Sequence, residues 1–134
     1  MSNDWVYDIA RMHEHYGVNA VVRKMDSETL RKFLNFRADF LREELDELRD
    51  AETAEDVVDA LIDLCVVAIG TLDGFDVDAY EAWDRVLEAN MSKEVGVKKE
   101  RPNPLGLPDL IKPADWTAPS HEGNHGLLTK IFDA

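Results

Sequence analysis

Thiols, uninterrupted apolar runs and positive charge are all scarce in this 134-residue chain. The single cysteine, Cys65, excludes an internal disulfide and a thiolate metal cluster. The longest apolar run, Leu64 to Ile69, is far too short to span a bilayer. No basic segment followed by an apolar run opens the chain, so no secretory signal is expected and a cytoplasmic location is the default. Lys and Arg number 15 against 28 Asp and Glu, a net charge of −13. That balance argues against a nucleic-acid backbone or an anionic membrane as the main partner. It leaves room for a small phosphate ligand when divalent cations stand between ligand and protein. Proline is absent before residue 102, so little interrupts helices in the first two-thirds of the chain.

What is present is a globular composition, 45% hydrophobic and 32% charged, of a length that suits one domain. The acidic excess is local: residues 26–63 hold 13 acids and 5 bases, residues 64–91 hold 6 and 1, and both ends balance. Apolar spacing predicts a first helix over Asp4 to His15, capped by Asp4 and ended by Gly17 and Asn19. A second helix, opened by Asp26 or Ser27, carries Leu30, Phe33, Leu34, Leu41, Leu45 and Leu48 on one face. Thr53, with Asp56 three residues on, caps a third helix that becomes strongly apolar after Asp63 and ends at Gly74. Such a helix belongs in the middle of a bundle or in an oligomer interface. A fourth starts at Asp76 or Asp78 and runs through Trp83 to Met91. Trp83, Phe33, Phe36 and Phe40 are expected in the core. All five prolines, from Pro102 and Pro104 to Pro119, then mark an extended arm with a short turn at Leu127 to Phe132. The expected fold is all-α, a four-to-five-helix bundle, with a helical catalytic domain over 1–93 and a Pro-rich C-terminal arm over 94–134 that packs on the same domain or a neighbouring subunit.

Helical spacing turns the acid run into a chemical signal. Glu44 and Glu47 share a face with Glu43 beside them, and Asp56, Asp59 and Asp63 form one stripe on the next helix. Asp63 enters the most apolar part of the chain, where an acid is costly unless paired or bound to a cation. If the two helices pack antiparallel across the short 49–53 connection, the acidic faces meet and repel. Mg²⁺ compensates such a cluster because it is hard and prefers carboxylate and water oxygens; Mn²⁺ is a substitute. The cluster contains no histidine, so zinc is disfavoured. The competing reading pairs these acids with Arg37, Arg42 and Arg49 and leaves the rest in solvent.

Glu43-Glu44-Leu45-Asp46-Glu47 resembles the Glu-Glu-x-x-Glu motif of the all-α nucleoside triphosphate pyrophosphohydrolases, the superfamily of MazG, the phosphoribosyl-ATP pyrophosphohydrolases and the dimeric dUTPases. Asp56-Val57-Val58-Asp59 is similar to its second motif, Glu-x-x-Asp, with Asp in place of the first Glu and only eight residues between Glu47 and Asp56. The run from Asp59 to Thr71, Ala89-Asn90-Met91-Ser92-Lys93, and Lys112-Pro113 with Trp116 and Pro119 resemble small phage and bacterial MazG-like proteins. The resemblance implies Mg²⁺-dependent cleavage of a (d)NTP between its α- and β-phosphates, giving a monophosphate and pyrophosphate. For a phage-encoded member the location is the host cytoplasm. By match to the motifs, Glu44, Glu47, Asp56 and Asp59 are the principal metal ligands and Asp63 an added ligand or supporting group. Glu43 orients or deprotonates the attacking water.

Asn90 and Lys93 are expected to contact base, sugar or phosphate, and Lys112 is a second phosphate candidate. Trp116 either stacks on a base or covers a neighbouring subunit. His13 and His15 are weaker pocket candidates than packing residues. The family's dimers and tetramers imply a homodimer or homotetramer, with a nucleoside triphosphate as partner and neither nucleic acid nor membrane. Two other readings stand behind this one: phosphoribosyl-ATP hydrolysis, which shares the acidic motifs but not the Asn-Met-Ser-Lys segment, and a non-catalytic nucleotide-binding bundle.

Overall fold

Short polar side chains set where the helices begin. In a computed structural model, which describes residues 3–101 and 105–132, the Asp4 carboxylate accepts the Tyr7 amide ahead of α1 (Trp5–His15). Asp26 accepts the Thr29 amide ahead of α3 (Ser27–Asp50), and the Thr53 hydroxyl accepts the Asp56 amide ahead of α4 (Ala54–Gly74). Each cap satisfies an amide that the first helical turn leaves without a partner, an effect of about 1 kcal/mol. Between α1 and α3 lies α2 (Val18–Val22), and α5 (Ala79–Met91) completes an all-α fold of five helices among the described residues. The short α2 is a departure from the sequence reading. Gly17, in the left-handed region at φ 71°, ends α1 as expected, but the chain then re-enters a helix of five residues. That is too short for an apolar period to register, and burial of Val22 supports it.

Packing divides the chain into two units, Met1–Ala79 with Asn124–Ala134, and Tyr80–Gly123. In the first, α4 packs against α3, α1 and α2. Its core centres on Val22, Leu30 and Phe75, with Phe33, Leu34, Val77, Leu127 and Leu128 packed around them. The Phe33 and Phe75 rings stack at 5.4 Å. Two of the expected core aromatics do not lie there: Phe36 is 62% exposed and Trp83 68%. Apolar character alone cannot say whether a second surface covers a side chain.

The second unit holds most of α5 and a two-stranded antiparallel sheet, β1 (Glu94–Gly96) with β2 (Asp109–Ile111), in which Val95 faces Leu110. The arm thus contains a strand pairing that its Pro and Gly content did not announce. Pro102 and Pro104 lie outside the described residues.

The expected turn near the C-terminus is a 3-10 helix, Gly126–Lys130, and it closes the first unit. Asn124 bonds both the amide and the carbonyl of Asp78 at 2.8 Å, and the Leu127 amide donates to the Phe75 carbonyl at 2.7 Å. Gly126 sits at φ 53°, and a Cβ there would meet the Phe75 carbonyl oxygen at 2.0 Å. Both the dihedral and the contact require glycine. Gly126→Ala is therefore expected to destabilise the fold by about 2 kcal/mol or more. Denaturant unfolding reads this directly, and an unchanged midpoint would contradict the docking of residues 124–132 on Phe75.

Candidate metal centre

Three acids on two helices converge. One carboxylate oxygen each from Glu44 and Glu47 of α3 and from Asp63 of α4 all lie within 4.8 Å of one another. The convergence follows from the pairing of the helices. Glu44 meets Asp63; seven residues back along α3, Arg37 meets Gly70, seven residues forward along α4. Four residues farther on each, Phe33 meets Gly74. Equal steps in opposite directions are the mark of an antiparallel pair in constant register. The same register carries Asp59 to the level of Leu48, and Asp56 to that of Ala51, where α3 has ended.

That geometry sorts the expected ligands. Glu44, Glu47 and Asp63 come together; Asp59 and Asp56 are exposed and lie outside the group, about one and two turns respectively nearer the start of α4. Asp63 is half-buried, and Glu43 is exposed on the turn that carries Glu44. In the second unit, Asn90 is exposed on α5. There the Trp116 indole N–H donates to the Ala89 carbonyl at 2.7 Å, so Trp116 packs on α5 of its own chain. The ammonium groups of Lys93 and Lys112 lie 5.2 and 5.0 Å from the Trp116 ring centroid. Neither lysine has an ion-pair partner among the described residues. His13 is buried and bonds Asp73 through Nδ1 at 2.9 Å, which makes it a packing residue that ties α1 to α4. His15 is exposed.

Glu44 carries the electrostatic burden of the cluster. It is 7% exposed, and its Oε2 is buried with no hydrogen-bond partner. Burial first, then repulsion from Glu47 and Asp63, pushes its pKa above the ordinary glutamate value of 4.5. Arg37, Arg42 and Arg49, the alternative partners for these acids, form no ion pair among the described residues. A buried carboxylate oxygen without a donor, facing two more carboxylates, is the environment a hard divalent cation satisfies. An octahedral ion with bonds of about 2.0–2.1 Å needs its neighbouring ligand oxygens roughly 3 Å apart, so these three would have to draw closer to share one. The all-oxygen donor set fits Mg²⁺ or Mn²⁺ and disfavours zinc.

Arg37 is the residue that sequence reasoning misplaced. The competing reading pairs it with the acids, whereas it bonds the backbone and a hydroxyl of α4. The available signal was positional: Arg37 lies two helical turns from Glu44, and Gly70 two turns from Asp63, on the side away from the connection.

A protein-family model described as phosphoribosyl-ATP pyrophosphohydrolase matches residues 17–90, just over half of the chain. The matched segment contains all six acids from Glu43 to Asp63 discussed above, and it stops before Lys93, Lys112 and Trp116. No curated protein and no solved structure matches.

The raised pKa of Glu44 has a definite sign in stability. The folded chain holds this proton more tightly than the unfolded chain does, so the metal-free protein loses stability as pH rises from about 4.5 through the raised value. Glu44→Gln removes that loss. In metal-free buffer at pH 7 the variant is expected to melt at or above the wild-type temperature. Added Mg²⁺ raises the wild-type midpoint by mass action and leaves the variant's unmoved. A variant that melts lower without metal, or gains equally from it, would refute this assignment of Glu44.

Proposed function

The chain belongs to the phosphoribosyl-ATP pyrophosphohydrolase family, a family of hydrolases within the MazG-like all-α superfamily, and from that premise we propose that it hydrolyses the α–β phosphoanhydride of a nucleotide with Mg²⁺ held by Glu44, Glu47 and Asp63. The observation that supports this best is the buried, unpartnered Oε2 of Glu44 at the centre of that carboxylate group. When bound, the cation supplies charge neutralisation for the polyphosphate and acidifies water. The protein's part is to hold three oxygen donors on two packed helices, so that little reorganisation is needed when a triphosphate arrives. Glu43, exposed beside Glu44, accepts the proton of the attacking water. Asp59 and Asp56 extend the acidic stripe outward and are the donors for a further cation brought with the substrate. Water adds across the anhydride, the bond between the α- and β-phosphates breaks, and a monophosphate and pyrophosphate leave.

The substrate order derived from sequence is revised. The sequence reading has a (d)NTP first and phosphoribosyl-ATP second; the family match supports phosphoribosyl-ATP as the first candidate. The (d)NTP reading keeps one observation in its favour. Part of the likeness to small MazG-like proteins, Met91 to Lys93 and Lys112-Pro113 with Trp116 and Pro119, lies beyond the match. In the second unit, two ammonium groups without carboxylate partners against an indole suit a phosphate or a base. Asn90, Lys93, Lys112 and Trp116 are accordingly proposed as substrate contacts. No helix among the described residues is long and apolar enough to cross a membrane. Exposed apolar side chains such as Val58, Leu61 and Ile62 on α4, and Trp83 on α5, support a homodimer or homotetramer as the working form.

The test is product identification with phosphoribosyl-ATP and a panel of (d)NTPs, with and without Mg²⁺. Phosphoribosyl-AMP and pyrophosphate, formed only with the cation, are the expected products. Asp63→Asn is expected to lower kcat/KM on the order of 100-fold. Stepwise release of inorganic phosphate, or turnover untouched by Asp63→Asn, would sink the proposal. Turnover of (d)NTPs alone would restore the original substrate order.

A further inference from the structure

A guanidinium sits between α3 and α4 with no ion-pair partner among the described residues. The Nε–H of Arg37 donates to the Thr71 hydroxyl oxygen at 3.0 Å, and Nη2 donates to the Val67 carbonyl at 2.9 Å. The Thr71 hydroxyl in turn donates to that same carbonyl at 2.7 Å. The guanidinium carbon lies 5.6 Å from the Phe40 ring centroid, and no carboxylate lies within ion-pair distance of Arg37 among the described residues. Room for the head group exists because residue 70 has no side chain: a Cβ there would lie 2.7 Å from Nη2 and 3.1 Å from His13 Nε2.

An arginine placed for stability alone gains most from a carboxylate partner. This one spends its directional donors on two acceptors one turn apart on the facing helix. Sliding α4 by one residue, about 1.5 Å, breaks both bonds. Arg37 lies seven residues from Glu44, and Gly70 seven from Asp63, so whatever fixes Arg37 against Gly70 fixes Glu44 against Asp63. The carboxylates supply no such restraint, since without a cation they push the helices apart.

We propose that Arg37 is a positioning residue: clamped to Val67 and Thr71 over Gly70, it sets the α3–α4 register that makes Glu44, Glu47 and Asp63 a preformed divalent-ion site. The inference rests on the metal reading of those acids, and its test separates the two. Thr71→Val keeps the shape and removes the acceptor, Thr71→Ser keeps the hydroxyl, and Arg37→Lys keeps the charge but not the fork. Mg²⁺ affinity of each full-length variant is measured by calorimetry below its melting temperature. The Phe33 ring to Gly74 Hα contact, seen by NMR in metal-free protein, reports the register independently. Thr71→Val and Arg37→Lys are expected to bind Mg²⁺ about tenfold more weakly, with the Phe33–Gly74 contact weakened, and Thr71→Ser to match wild type. Folded Thr71→Val and Arg37→Lys proteins that bind Mg²⁺ as wild type does, whatever their melting temperatures, would overturn the proposal. If wild type itself binds no divalent ion, the metal reading fails. The NMR contact then decides on Arg37: loss in Arg37→Lys supports register control and retention overturns it.

Discussion

Mutual repulsion of three carboxylates, held together by the packing of two helices, is the constraint on which the rest of this structure turns. Glu44, Glu47 and Asp63 are brought within a few ångströms by an α3–α4 pairing that also accommodates Arg37 against Gly70 and Phe33 against Gly74. The cost falls mainly on Glu44, which is buried, lacks a donor at Oε2 and keeps its proton above the ordinary range. A fold that maximised its own stability would place a leucine there. A ligand could relieve strain of this kind, and three carboxylate donors are a set that could hold a hard divalent ion.

The remainder of the first unit braces that pairing. The His13–Asp73 bond ties α1 to α4, and Asn19, from α2, donates to the same Asp73 oxygen at 2.9 Å. The C-terminal residues close over Phe75, and the Arg31 guanidinium donates to the Ile131 carbonyl at 2.9 Å. These contacts lie at the end of the helical pair away from Glu44 and Asp63. The chain's membership in the phosphoribosyl-ATP pyrophosphohydrolase family is membership in a family of hydrolases, and the match covers both acidic helices.

Features encoded in neighbouring residues were legible in the sequence. Asp4, Asp26 and Thr53 cap their helices as their spacing from the following amides requires, and the three- and four-residue intervals among the acids placed them on facing stripes. Features that depend on register were not. Spacing treats Asp56, Asp59 and Asp63 alike, yet only Asp63 reaches the level of Glu44: Asp59 falls level with Leu48, and Asp56 lies past the end of α3. The role of Arg37 depends on an empty position 33 residues away. Exposure of Trp83 and Phe36 depends on which helix faces meet a neighbour in the fold, and the β1–β2 pairing joins segments too short to show an alternating pattern.

Anomalous scattering from crystals grown with Mn²⁺ tests the central claim most directly. The account predicts a single strong peak bonded to oxygens of Glu44, Glu47 and Asp63 together, with any further ion outward toward Asp59. A peak held by Asp56 and Asp59 with Glu44 left uncoordinated, or no peak between α3 and α4, would contradict it.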